Sequence, residues 1–200
     1  MHGCKTAERI GTELSYSDAN EVILVEPYNC AWRQDKRRRR ESLEARLVAD
    51  SYARSGYSRV FMFDPHYQQI ATTFPPTCPA EAMNLSGPLM KFINEEHPEI
   101  LDGKVFMAFS DRGALKNYGY MADRELMDLP TVPLSKTRGS EDLKNMRVLK
   151  QRDDLEGATV IFREDEMATM GTLSDATREL REGFGVGDVY AIVSHVKPSI

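Results

Sequence analysis

The chain has 200 residues, 41% hydrophobic and 28% charged, with a formal net charge of −5. That is long enough for one large domain or two small ones with a buried core, and too apolar for an intrinsically disordered chain. The acidic balance excludes a polyanion binder over its whole surface, so any affinity for phosphate or nucleic acid must come from a local patch.

Met1 to Ile10 carries few apolar residues and reads as a weak helix. Glu21–Pro27, EVILVEP, is a short β-rich run between Asn20 and Pro27 and predicts a buried strand. A basic loop follows, from Trp32 to Glu41. Ser42 is the expected cap of a helix running to about Arg54, with Leu43 and Leu47 on one face and Gly56 as its stop. Arg59–Asp64, RVFMFD, predicts a second strand. The stretch from Glu81 to His97 holds a helix with Leu89, Phe92 and Ile93 on a shared face. Val105–Phe109 is a third strand, Ala114–Leu126 a helix, and Thr131–Leu134 a short strand. Val160–Phe162 is another strand, and Thr172–Phe184 a helix with Leu173, Ala176, Leu180 and Phe184 at helical spacing. Val189–Val193 ends the regular structure.

This alternation predicts an α/β protein with a mainly parallel sheet and flanking helices. Ligands of such sheets bind at loops beyond the carboxyl ends of the strands. Three of those loops are acidic: Asp64-Pro65-His66, Ser110-Asp111-Arg112-Gly113, and Arg163-Glu164-Asp165-Glu166 leading through Thr169-Met170-Gly171-Thr172 into a helix. The last can be read as a sugar-phosphate site. Backbone N–H groups and threonine hydroxyls at a helix N-terminus suit a phosphate, and the acidic pair suits sugar hydroxyls. Taken alone, the motif reads first as a helix N-terminus capped by Thr169 or Thr172, with solvated acids nearby. Hard cations such as Mg²⁺ favour the oxygen ligands that these loops carry. The Lys36–Arg40 run reads as a nucleic-acid patch, a solvated loop, or a clamp for a triphosphate.

Cys4, Cys30 and Cys78 are far apart and form no CxxC pair, which argues against a disulfide framework or a thiolate zinc site and fits a reducing compartment. No apolar run approaches the ~18 residues of a membrane span. The polar N-terminus lacks the apolar core of a signal peptide.

Together these motifs resemble the ribose-phosphate pyrophosphokinase family. Glu26–Arg40, EPYNCAWRQDKRRRR, is similar to that family's strand and ATP-contacting loop, with Arg33, Gln34 and Asp35 on its Arg-Gln-Asp. Leu43–Ile70 resembles the following helix and strand end, with His66 on the family's catalytic, metal-linked histidine. FSDRGALK at Phe109–Lys116 is similar to a segment whose aspartate, here Asp111, binds Mg²⁺. Lys136 and Arg138 match a Lys-x-Arg pair of the mobile catalytic loop. Val160–Leu173 aligns without gaps to the ribose-5-phosphate loop. This chain departs from it at Glu164, at Ala168 in place of an aspartate, and at Met170 in place of a glycine.

The resemblance implies a phosphoribosyltransferase-type fold in two incomplete, similar domains, residues 1–78 and 79–200. It implies Mg²⁺-dependent transfer of diphosphate from ATP to ribose 5-phosphate, forming phosphoribosyl pyrophosphate and AMP, in cytoplasmic nucleotide biosynthesis. Arg33 and Gln34 would bind ATP. His66 and Asp111 would organise Mg²⁺, while His66, Lys136 and Arg138 act in catalysis. Glu164, Asp165, Thr169, Met170, Gly171 and Thr172 would hold the sugar phosphate. The alternatives are a non-catalytic member that regulates an active synthetase, or a diphosphotransferase with another sugar-phosphate acceptor. The family pattern begins before this chain's first strand and continues past its last. Association with other copies or with a family partner subunit is therefore expected; a membrane or nucleic acid is not.

Overall fold

The computed structural model describes residues 2–34, 42–109, 129–132, 134–138, 144–148, 155–167 and 170–197. By contacts the chain divides into two compact units, Met1–Asn84 and Leu85–Ile200. The division falls after Asn84 rather than after Cys78, because the strand Ala80–Met83 hydrogen-bonds into the first unit's sheet.

The first unit opens with α1, His2–Tyr16, longer than the sequence suggested. Strands β1 (Ile23–Glu26), β2 (Arg59–Phe63) and β3 (Ala80–Met83) form a parallel sheet in that order. Helix α2, Glu44–Arg54, connects β1 to β2. Its buried residues are Ala45, Ala49 and Tyr52, whereas Leu47 is mostly exposed, so the inward face differs from the one expected. The reason is close packing, since small side chains let a helix approach its neighbours and Tyr52 fills the space beyond them. Ser42 is not the cap. Leu43 holds that position without a side-chain bond, and Ser42 Oγ instead donates to Glu44 Oε1 at 2.6 Å. Gly56 does end the helix, at φ +91°, a conformation open to glycine.

Helix α1 lies against this layer. Tyr57 Oη donates to the Ala7 carbonyl at 2.6 Å, and Ser51 Oγ bonds Glu8 Oε1. Gly11 permits the approach, for a Cβ there would come within 2.6 Å of the Tyr57 ring. The core of the unit contains Trp32, Tyr52, Val60, Met62, Ile70 and Cys78.

The second unit begins with α3, Ser86–Glu96. The sequence placed a helix within Glu81–His97; the structure puts β3 in the first part of that stretch and buries Met90 and Ile93, while Phe92 is mostly exposed. Strands β4 (Val105–Ala108), β5 (Thr131–Val132), β8 (Thr159–Met167) and β9 (Asp188–Val196) make a parallel sheet in the order β5-β4-β8-β9. Strands β6 (Leu134–Arg138) and β7 (Lys144–Val148) pair separately and antiparallel. Helix α4, Gly171–Phe184, joins β8 to β9.

The pleat alternates side chains across this sheet. Ile161 joins Met90, Ile93, Val105 and Met107 in one core, and Val160 and Phe162 join Phe106, Ala176 and Leu180 in another. Helices α3 and α4 thus cover opposite faces, as a parallel sheet requires. Among the described residues no helix is long and apolar enough to cross a membrane. All three cysteines are free thiols.

Candidate functional site

In the first unit the chemistry gathers beyond the carboxyl ends of β1 and β2. Glu26 closes β1 and is partly buried. Its Oε1 accepts from Tyr52 Oη at 2.8 Å and from Asn29 Nδ2 at 3.1 Å, while the buried Oε2 has no hydrogen-bond partner among the described residues. Burial pushes the Glu26 carboxyl above its ordinary value, against the opposing pull of the Tyr52 and Asn29 hydrogen bonds. Burial first, and then the Glu26 charge, hold the Tyr52 phenol well above its own ordinary value, so it remains a donor. Asn29 leads into a short 3-10 turn, Cys30–Arg33, which buries Trp32 and ends on Arg33. Gln34 follows, and its Oε1 accepts the Glu44 N–H of α2 at 3.2 Å.

After β2 the chain turns at Asp64. That residue is 3% exposed and sits at φ +38°, in a region costly for any side chain with a Cβ. Its N–H donates to the Met83 carbonyl at 2.9 Å, which fixes the corner to β3. His66 stands just beyond, half-buried, with its ring edge-on to Tyr67 at a centroid distance of 4.5 Å.

In the second unit β8 outruns β4. Ala108, the last residue of β4, pairs with Phe162, and from Arg163 onward β8 is hydrogen-bonded only to β9 among the described strands. Arg163 is fully buried. Its Nε donates to Ser86 Oγ at 3.0 Å, one terminal nitrogen to Ser194 Oγ at 2.8 Å, and the other to the Glu164 carbonyl. Glu164 and Asp165 follow, half-buried. As strand neighbours they face opposite sides of the sheet, Glu164 with Phe162 and Asp165 with Arg163. Met170 then adopts φ +58° and precedes the first residue of α4, Gly171, where a Cβ would meet open space.

No protein-family model matches the chain. Ribose-phosphate pyrophosphokinase 1 of Listeria monocytogenes is 30% identical over 183 residues, covering 91% of this chain and 54% of the relative. The ribose-phosphate pyrophosphokinase of Mycobacterium tuberculosis is 29% identical over the same shares. The crystal structure of phosphoribosylpyrophosphate synthetase from Mycobacterium smegmatis matches with a TM-score of 0.80 at 29% identity, over 96% of this chain and 60% of that one. Both of these curated relatives are ribose-phosphate pyrophosphokinases. The chain spans about half the length of the curated relatives it matches.

Against the ribose-phosphate pyrophosphokinase motifs, Arg33 and Gln34 are adjacent in one turn, in the same unit as His66. Glu164, Asp165, Met170, Gly171 and Thr172 belong to the other unit. Two expectations need correction. The Arg163–Met167 segment is not a loop but the extension of β8, because β9 supplies its hydrogen bonds. Lys136 and Arg138 lie not in a loop but in β6, opposite Met146 and Lys144. Asp111, Ala168, Thr169, the Lys36–Arg40 run and the Ala114–Leu126 stretch lie outside the described residues. Within those described, no three His, Cys, Asp or Glu side chains gather as a metal-binding group.

Sequence reasoning passed over the Glu26–Asn29–Tyr52 network and Arg163. The signal was an acid closing an apolar run in one case and a base closing one in the other.

Proposed function

We propose that this chain carries ribose-phosphate pyrophosphokinase chemistry: Mg²⁺-dependent transfer of the β,γ-diphosphoryl group of ATP to the 1-hydroxyl of ribose 5-phosphate, in cytoplasmic nucleotide biosynthesis. The sugar O1 attacks the β-phosphorus, the bond from that phosphorus to the α,β-bridging oxygen breaks, AMP leaves, and the hydroxyl proton is lost. The observation that carries the reading is the likeness to the solved synthetase, which extends over 96% of this chain.

Such chemistry depends on positioning and on offsetting phosphate charge rather than on a covalent intermediate. Arg33 would hold the triphosphate through its planar fork, and Gln34 would order the same turn while capping α2. Lys136 and Arg138 would act on the transferred group. The sugar hydroxyls would be met by whichever of Glu164 and Asp165 faces the sugar, or by both where the strand end turns one toward the other, and Thr169, Met170, Gly171 and Thr172 would take the 5-phosphate at the α4 N-terminus, where Gly171 leaves room for it. His66 and Asp111 would hold Mg²⁺. One imidazole and one carboxylate suit a cation that keeps waters and shares phosphate oxygens. The ion would supply charge neutralisation when bound.

The test is AMP release from ATP and Mg²⁺ with and without ribose 5-phosphate. Sugar-dependent AMP supports the reading, and none at high protein concentration sinks it. A second reading, a non-catalytic subunit that binds an active synthetase, is favoured by Ala168 and by Met170, whose φ of +58° suits the glycine it replaces. The double substitution Ala168→Asp with Met170→Gly discriminates. It raises AMP release in a weakened synthetase, changes nothing in a chain that has abandoned the chemistry, and slows one adapted to another sugar phosphate. Assembly with further copies or a partner subunit belongs to the same proposal, and a monodisperse monomer by light scattering across a wide concentration range would count against it.

A further inference from the structure

Asn29 is only 4% exposed, and its amide reaches four elements of the first unit. Its Oδ1 accepts from the Ala31 N–H at 3.0 Å and so caps the 3-10 turn. The two N–H groups of its Nδ2 are shared among three acceptors, Tyr52 Oη at 3.2 Å, Glu26 Oε1 at 3.1 Å and Cys4 Sγ at 3.1 Å. Tyr52 Oη in turn donates to Glu26 Oε1 at 2.8 Å. The phenol oxygen therefore accepts from the amide while its proton goes to the carboxylate, a chain with one direction only. Through this amide α1, the end of β1 and α2 all meet the turn that delivers Arg33.

Such a network is not the cheapest way to fill a core. A carboxyl oxygen, Glu26 Oε2, is buried without a hydrogen-bond partner among the described residues, and apolar side chains of similar volume would avoid that desolvation cost. What a polar network adds is a fixed direction, since every member must be met at the right angle. The object it fixes is short. Ala31, Trp32 and Arg33 follow within one turn, Trp32 is 2% exposed, and Gln34 fastens the far end to α2 at 3.2 Å.

We propose that Asn29 is a positioning residue for nucleotide binding: its side chain ties the Glu26–Tyr52 pair to the Cys30–Arg33 turn and thereby sets the direction in which Arg33 meets the triphosphate. The inference rests on the reading of Arg33 as an ATP contact. The residue itself touches no phosphate. It acts through the turn, so its loss weakens ATP binding without disturbing the sugar-phosphate loop of the other unit.

Trp32 is the sole tryptophan of the chain and sits in the turn, so its fluorescence reports the turn directly. The full chain is titrated with Mg²⁺-ATP and, separately, with ribose 5-phosphate, each followed by calorimetry. Asn29→Ala is expected to move Trp32 emission to longer wavelength and to raise the Mg²⁺-ATP Kd about tenfold, on a scale where ~1 Å of misplacement costs ~100-fold. The ribose 5-phosphate Kd should stay unchanged, and Asn29→Ser, which keeps an oxygen for the Ala31 N–H but has no amide to donate to Tyr52 and Glu26, should recover only part of the ATP affinity. Tyr52→Phe removes only the hydroxyl link and is expected to weaken Mg²⁺-ATP by roughly threefold, so the test stands even where Asn29→Ala does not fold. A lowered melting temperature with an unaltered Mg²⁺-ATP Kd in these variants overturns the inference alone. Failure of the parent chain to bind Mg²⁺-ATP overturns the proposed function, and the nucleotide role of Asn29 with it.

Discussion

Replacing Arg163 by methionine should destabilise the second unit by about 2–4 kcal/mol, a net of two opposed terms. The guanidinium is fully buried and donates to Ser86 Oγ, Ser194 Oγ and the Glu164 carbonyl. Hydrogen bonds from a charged donor contribute ~1.5–3 kcal/mol each, so the three together contribute roughly 5–9 kcal/mol. Removing the charge returns the several kcal/mol (order of magnitude) that desolvating it cost. Methionine fills much of the volume, so no large cavity term is added. Lysine should lose about 1–3 kcal/mol, since one ammonium cannot span three acceptors set for a planar fork. Adding Ser86→Ala and Ser194→Ala to the methionine variant should recover ~1–2 kcal/mol, because both sides of the lost bonds are then apolar. Urea unfolding followed by far-UV circular dichroism measures these differences. Hydrogen exchange should show faster opening at the end of β8, where β4 no longer supports the strand. A methionine variant within ~0.5 kcal/mol of the parent, or serine substitutions that simply add to it, would refute the idea that Arg163 holds the strand end in place.

Met170→Gly should raise stability by up to about 1 kcal/mol: it relieves ~1–2 kcal/mol of left-handed strain at φ +58° and gives back ~0.5–1 kcal/mol in backbone entropy. A lowered melting temperature would show that the Met170 side chain contributes more than its backbone costs. Gly11→Ala should destabilise by ~1–3 kcal/mol despite alanine's better helix propensity, because the new methyl meets the Tyr57 ring at 2.6 Å and the Ser55 carbonyl at 2.8 Å; a thermal melt equal to the parent's would rule out the close approach of α1. For Glu26, burial raises the folded carboxyl above its ordinary 4.5, so its contribution is fully present below that pH and is lost as pH rises through the raised value. The parent should therefore lose stability relative to Glu26→Gln as pH rises above the ordinary 4.5, read from urea midpoints, and a difference that stays flat there would mean the carboxyl titrates normally.

Much of the architecture is legible in one dimension. VFMA and VIF are unbroken apolar runs because β4 and the first half of β8 are covered on both faces by α3 and α4. Ala176 and Leu180 recur at helical spacing because they are the buried residues of α4 among its described side chains, on the face turned to the sheet. Gly56 announces the end of α2 because a left-handed residue is needed there. His66 stands out from the order of elements alone, because ligands of parallel sheets gather after the strands, whereas Arg33 and Gln34 are singled out only by the resemblance to the family's Arg-Gln-Asp segment. Other features have no local signature. AEAM becomes β3 only because β2 offers Val60 to Ala80 and Phe63 to Met83, and the polar REDEM becomes strand only because β9 satisfies its backbone. The inward face of α2 consists of Ala45 and Ala49 rather than the larger Leu47, a choice made by how closely the helix must approach its neighbours. Asn29 and Arg163 take their importance from partners 23 and 77 residues away, at Tyr52 and Ser86. Apolar periodicity is a property of each segment and survives without the fold, whereas a buried amide or guanidinium acquires its meaning only when chain folding brings its acceptors within about 3 Å.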